Sequence, residues 1–330
     1  YKKKLSSYRG MKLKYIPTIK SKNFEMICYA FFSAISTVFK NYDINHFHAI
    51  GPSTLSFIPK FFGKKLVVTV HGLDWQREKW NYIAKSYLKF GEWTSIRIPH
   101  QTIVVSKTLK QYYEDKYSKK VKYIPNGINN TKYTPLTEAG KKFSLKKNRY
   151  LLFVGRLTKE KNVHILIQAF KSLNTDMKLV IVGGSSHTDD YIIGLKKLAD
   201  SDNRIILTGP IYDQLLPQIY SNAFLFILPS ALEGLPVVLL EALSYGNGVL
   251  VSDIPENVEV IQDDVKLKGF TFKSGKVDSL RSILNDLVNT PKKVEDMKNM
   301  GRKFVLEKYS WDEVTEKTVE LYKNLITNRV

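Results

Sequence analysis

At 330 residues the chain is too long for one ordinary core and suits two domains of about 150 residues each. Its net charge of +20 is unevenly placed: residues 1–148 hold 28 Lys and Arg against 8 Asp and Glu, while residues 149–330 hold 23 of each. The basic excess belongs wholly to the first half and asks for an anionic partner. A membrane surface fits that half better than nucleic acid, because no zinc-finger spacing or aromatic RNA-binding motif accompanies the charge. The single cysteine, Cys28, excludes an intrachain disulfide and agrees with a reducing, cytoplasmic setting.

In chain order, the segment Met11–Pro17 reads as a strand. The longest apolar stretch, Ile27–Phe39, is only 13 residues and includes two Ser and a Thr, against the ~20 that a spanning helix needs. Asn45–Gly51 and Leu66–Gly72 read as strands, followed by two more at Gln101–Ser106 and Val121–Pro125. His46 and His48 alternate along the first of these and point the same way. His71 stands at the end of the second, before Gly72, so it would face a crevice at the carboxyl end of the sheet. A three-His zinc site from His46, His48 and His71 is the weaker reading, because no acidic ligand pattern accompanies them. Asp74 follows closely, either to hydrogen-bond an acceptor hydroxyl or to cap the helix that begins near Trp80. Trp80–Ile98 interleaves Trp80, Tyr82, Tyr87, Phe90 and Trp93 with Lys79, Lys85, Lys89 and Arg97. Interfacial amphipathic helices are built this way, and so are ordinary half-buried helices with a basic outer face.

The turn Ile124-Pro-Asn-Gly-Ile128 and the polar run to Arg149 read as a hinge. Beyond it, Leu151–Val154 is an apolar strand that leads through Gly155 and Arg156 to a helix start, with Thr158 as N-cap and Lys161 opening the helix. Strands at Lys178–Val182, Ile205–Thr208, Leu225–Leu228 and Val249–Ser252 then alternate with helical stretches, which is the rhythm of a doubly wound parallel α/β sheet. No Gly-x-Gly-x-x-Gly occurs, so a dehydrogenase reading loses its main support. Glu233-Gly-Leu-Pro-Val-Val-Leu-Leu-Glu241 places Glu233 at the mouth of a helix with Pro236 in its first turn, and Glu241 further inside. Free N–H groups and the positive dipole end at such a mouth hold phosphates. Trp311–Ile326 is a final helix with Ser310 as N-cap.

The Glu-x7-Glu stretch, with Arg156 and Lys161 in the preceding motif, resembles the donor site of retaining glycosyltransferases of the GT-B fold, family 4. The resemblance implies two Rossmann-like parallel-sheet domains facing a cleft: an acceptor-side domain over 1–148, a nucleotide-sugar domain over 149–310, and a final helix, 311–330, returning to the first. Against that pattern, the first domain is expected either to lack its opening strands and Gly-rich loop here or to be naturally short. Arg156 and Lys161 would neutralise a departing nucleoside diphosphate. Glu233 with the Gly234 and Leu235 amides would approach the donor sugar, and Glu241 the ribose. Gly155 and Pro236 complete the expected donor set. His71 is expected near the sugar ring, with His48 and Asp74 on the acceptor side. No metal and no cofactor beyond the nucleotide-sugar donor are expected.

Val70–Trp80 and Leu243–Gly248 further resemble rhamnosyltransferase-like enzymes of bacterial surface polysaccharide synthesis. This implies a lipid-linked or saccharide acceptor and a peripheral position on the cytoplasmic membrane face. Alternatives are a GT-B nucleotide-sugar epimerase or phosphorylase, and a basic membrane-binding module with a vestigial donor site.

Overall fold

The computed structural model describes residues 5–18, 25–184, 189–212, 214–262 and 269–327. Strands β3 (Asn45–His48), β4 (Leu66–Val70), β5 (Gln101–Val104) and β6 (Lys122–Tyr123) form one sheet in that order, parallel throughout. Among the described residues, the preceding β1 (Ser7–Tyr8) and β2 (Met11–Lys12) pair only with each other, antiparallel and exposed. The strand expected over Met11–Pro17 is therefore a two-residue arm of a hairpin outside the parallel sheet. Its Lys12 and Lys14 alternate with Met11 and Leu13, and no apolar run is long enough to enter the sheet interior.

A second parallel sheet comprises β7 (Tyr150–Val154), β8 (Lys178–Val182), β9 (Ile205–Gly209), β10 (Leu225–Leu228), β11 (Gly248–Ser252) and β12 (Phe270–Phe272). Its order is β12-β11-β10-β7-β8-β9, so the chain winds outward from β7 in one direction, returns, and winds outward in the other. β7, β10 and β11 are buried along their whole length. Unbroken Val, Ile, Leu and Phe runs suit strands covered on both faces. The carboxyl ends of β7 and β10 form the switch point, where open α/β sheets leave a crevice.

The helix Trp311–Thr327 lies on the first sheet: Val314 and Leu321 form a small core with Val67, Ile103 and Ile124. Ser310 caps it, accepting the Glu313 N–H at 3.2 Å, and the Ile128 N–H donates to the Tyr309 carbonyl at 2.7 Å. A carboxylate also crosses between the two sheets' layers. Glu259, on the helix Pro255–Gln262, accepts the N–H groups of Lys107 and Thr108 at 2.8 and 3.1 Å, at the start of the helix Lys107–Tyr117. No helix of the described residues is long and apolar enough to cross a membrane.

Candidate active site

Two loops meet at the switch point. After β7, Gly155 donates its N–H to the Val182 carbonyl at 3.0 Å, and the chain turns outward at the exposed Arg156. The expected helix start is displaced here. Lys159–Lys161 is a 3₁₀ turn, Asn162 is left-handed (φ 51°), and the helix proper is Val163–Lys171. Lys161 thus ends a tight turn and does not open the helix. Thr158 precedes the turn, but its hydroxyl forms no cap and is buried with no partner among the described residues. Leu157 is buried, which pins the loop with Arg156 at the surface of the crevice.

After β10, the loop ending at Pro236 leads into the helix Val237–Ser244. Pro236 stands just outside the helix, with ψ 91°, and not in its first turn. The Ala231 N–H donates to the Glu160 carbonyl at 2.8 Å and ties the two loops together. Glu233 pairs with Lys161, both largely buried. Among the described residues, the N–H groups of Gly234 and Leu235 donate to no acceptor, and Arg156 makes no ion pair. An exposed guanidinium and two free amides at a helix mouth form an anion-binding arrangement.

The other wall comes from the first domain. His71, Gly72, Leu73, Asp74 and Arg77 line a cavity of about 50 Å³ with Arg156, Glu160, Lys161, Leu232, Glu233 and Gly234. Asp74 does not cap the next helix. It pairs with Arg77 at 3.0 Å, and Asn81 caps the helix Tyr82–Arg97 by accepting the Ala84 N–H at 2.9 Å. The walls touch at one point: a Cβ on Gly234 would lie 1.7 Å from the His71 carbonyl oxygen. Glycine at 234 is required for this approach.

Behind His71 lies a chain of imidazoles. His48 Nδ1 is 3.1 Å from His71 Nε2, and the His46 and His48 rings stack at 4.3 Å. His46 also bonds Tyr322 at 2.5 Å and Thr69 at 2.7 Å. Burial lowers the pKa of all three, that of His46 to about 3, with neighbouring imidazoles adding to the effect on His46 and His48. For His71, an Asn126 hydrogen bond and the Asp74 charge act against burial. The strand carrying His46 and His48 is shorter than expected. It ends at His48, and Ala49 turns (φ 72°) into the short helix Ile50–Ser53. Among the described residues no group of three His, Cys, Asp or Glu is arranged to hold a metal ion.

Glu241 lies elsewhere. It lines a second cavity, of about 570 Å³, with Val237, Leu216, Pro217, Tyr220, Tyr245, the 127–131 segment and Trp311. Tyr220 donates to its carboxylate at 3.3 Å, and burial raises its pKa. Tyr220 and Tyr245 stack at 5.2 Å. A volume in the range of small-molecule pockets, aromatic and aliphatic walls interleaved with Asn129, Asn130, Thr131 and Ser244, and one carboxylate suit a nucleoside-sized ligand.

The structure thus brings His71, Asp74, Arg156, Lys161, Glu233 and Gly234 together around one cavity and sets Glu241 in another. Gly155, Leu235, Pro236 and His48 stand next to the lining without forming it. Sequence reasoning missed Arg77, Glu160 and Asn126 as site residues. The three-residue spacing of Asp74 and Arg77 was a usable signal, whereas Pro-Asn-Gly read only as a turn. Glu256 also reaches this region: burial raises its pKa, and the Glu233 charge adds to that.

Two parallel-sheet domains with an anion-binding switch point facing an imidazole-bearing wall define a GT-B-type molecule. The family model for glycosyl transferases group 1 matches residues 137–304, and that for Glycosyltransferase Family 4 matches residues 3–132. The chain belongs to the glycosyl transferases group 1 family. An uncharacterized glycosyltransferase of Methanocaldococcus jannaschii is 30% identical over 234 residues, covering 68% of this chain and 60% of that protein. The match therefore spans about three fifths of that relative's length. An Escherichia coli UDP-Gal:alpha-D-GlcNAc-diphosphoundecaprenol alpha-1,3-galactosyltransferase is 28% identical over 309 residues, 88% of this chain and 77% of that one. Among solved structures, Anabaena HepE in complex with UDP-glucose superposes with a TM-score of 0.80 at 17% identity, covering 93% and 85% of the two chains. That likeness is one of fold.

Proposed function

We propose that this chain transfers a sugar from a nucleotide-diphosphate sugar to a lipid-linked or saccharide acceptor, with retention of anomeric configuration, in the assembly of a cell-surface polysaccharide. The observation that carries the reading is the meeting of Arg156, Lys161 and the free amides of Gly234 and Leu235 with His71 of the opposite domain. The diphosphate docks on those cations and amides, and the nucleoside occupies the cavity of Glu241. Attack comes from the face the diphosphate leaves. The acceptor hydroxyl forms the new glycosidic bond as the bond to the diphosphate oxygen breaks, and that oxygen takes the proton. Arg156 and Lys161 stabilise its charge without a metal, and the apposed domains keep water from the anomeric carbon. The E. coli relative's name specifies a UDP-sugar donor and a diphosphoundecaprenol-linked acceptor, the class proposed here.

Placement on the cytoplasmic face of a membrane has separate support. The basic first half bears a helix, Tyr82–Arg97, whose outer side exposes Tyr82 (84%), Ile83 (78%), Phe90 and Trp93 beside Lys89 and Arg97. Apolar rings among cations suit an anionic lipid interface.

The test is incubation with UDP-, GDP- and dTDP-sugars and polyprenyl-diphosphate-linked saccharides, with product linkage read by NMR and EDTA added in parallel. An α-linked product from an α-linked donor, formed at the same rate in EDTA, is expected. An inverted product, or a free epimerised sugar, overturns the reading.

A further inference from the structure

Glu92 lies on the inner side of the helix Tyr82–Arg97 and is fully enclosed. Its carboxylate accepts from the Trp75 indole N–H at 2.6 Å, the Tyr117 hydroxyl at 2.7 Å, the Tyr112 hydroxyl at 3.0 Å and the Lys116 ammonium at 2.7 Å. A buried carboxylate persists in a core only when paired and hydrogen-bonded, and packing alone would be met by an apolar side chain. Three of the four donors come from the neighbouring helix Lys107–Tyr117. The fourth, Trp75, is the residue after Asp74, inside the loop that supplies the first-domain wall of the cavity.

That loop has little structure of its own. Asp74–Gln76 is a single 3₁₀ turn, held by the Gln76 N–H on the Leu73 carbonyl at 2.9 Å and the Arg77 N–H on the Asp74 carbonyl at 3.2 Å. Trp75 fastens it to the helical layer through Glu92, with the Lys89 ammonium 5.1 Å from the indole ring. Its flanks carry His71 and Gly72 to the contact with Gly234. We infer that Glu92 is a positioning residue for the transfer reaction: through Trp75 it holds the His71–Arg77 loop in register against the Glu233–Gly234 loop of the other domain. The inference rests on the proposed sugar transfer. A misplacement of about 1 Å at such a wall is enough to cost ~100-fold in rate.

The test uses Trp75→Phe, which removes the indole N–H while keeping a ring, together with Glu92→Gln and the double variant. With the UDP-, GDP- and dTDP-sugar panel, kcat is expected to fall about 10- to 100-fold in each single variant. The donor KM should stay within about threefold, since the cations and amides proposed to hold the diphosphate lie on the other domain. Residues acting as a unit are non-additive, so the double variant should be no slower than the slower single one. Unchanged kcat in folded Trp75→Phe, or additive losses, would overturn the inference. Should the wild type turn over no donor, the transfer reading fails by itself. The tether is then read by NMR: Trp75→Phe and Glu92→Gln should both shift the His71 ring resonances, and unshifted His71 signals in both would overturn it.

Discussion

Lys161 and Glu233, 72 residues apart, form an ion pair at the point where the loops after β7 and β10 meet. The site's most enclosed cation is thus already engaged, and an incoming diphosphate must share it with a carboxylate. A charge-assisted hydrogen bond contributes about 1.5–3 kcal/mol. Lys161→Ala should therefore weaken UDP, GDP or dTDP binding by roughly 10- to 100-fold, as measured by calorimetric titration, and lower the thermal midpoint as well, because Glu233 is left largely buried without its cation. Glu233→Gln removes the competitor, so it should bind the free nucleoside diphosphate at least as well while transfer falls.

The contact between Gly234 and the His71 carbonyl sets a steric prediction. Any side chain at 234 would sit 1.7 Å from that oxygen, so Gly234→Ala has to push the two walls apart. The expected result is a larger radius of gyration in solution scattering and a rate loss of about 100-fold. Far-ultraviolet circular dichroism should be unaltered, because neither sheet is touched.

The imidazole chain gives a pH dependence whose sign is fixed. The folded-state pKa of His46 is about 3, below its ordinary value of 6.5, so the unfolded chain binds the proton first as pH falls. The stability this supplies is complete above pH 6.5 and is lost as pH falls toward 3. One proton accounts for at most about 1.4 kcal/mol per pH unit. Urea unfolding between pH 7 and 4 should show midpoints falling with pH, and His46→Asn should flatten the slope.

Glu241 carries the opposite sign. Burial raises its pKa, so the folded state favours the protonated acid, and ionisation at neutral pH works against folding. Glu241→Gln should raise the thermal midpoint at pH 7.5 and lower nucleotide affinity, both read by titrating scanning fluorimetry with the nucleotide. A lower midpoint together with unchanged affinity would sever the second cavity from the nucleotide.

Much of this was legible from periodicity. Continuous apolar runs such as Leu225–Leu228 gave strand positions closely, because a doubly covered strand tolerates little else. Arg156 and Glu233 could be placed at strand ends, and so at a crevice. Local helix grammar failed where backbone conformation decided the outcome. Thr158 looked like a cap, yet the left-handed Asn162 starts the helix later. Ala49, an alanine at positive φ, ended a strand that composition would have continued. Spacing put Glu241 inside the helix that Glu233 precedes, but the direction of its side chain, toward Tyr220 and the 127–131 segment, is set only by tertiary packing. Glu92 carried no signal, since its partners come from two separate stretches, the loop of Trp75 and the helix Lys107–Tyr117.

If the switch-point loops hold a nucleotide-diphosphate sugar, calorimetric titration of the wild type, Arg156→Ala and Lys161→Ala with a panel of UDP-, GDP- and dTDP-sugars reads that binding without any acceptor. Saturable binding of one donor by the wild type, weakened at least tenfold in both variants, is the predicted result. Binding that survives both substitutions, or no binding to any donor by folded protein, would contradict it.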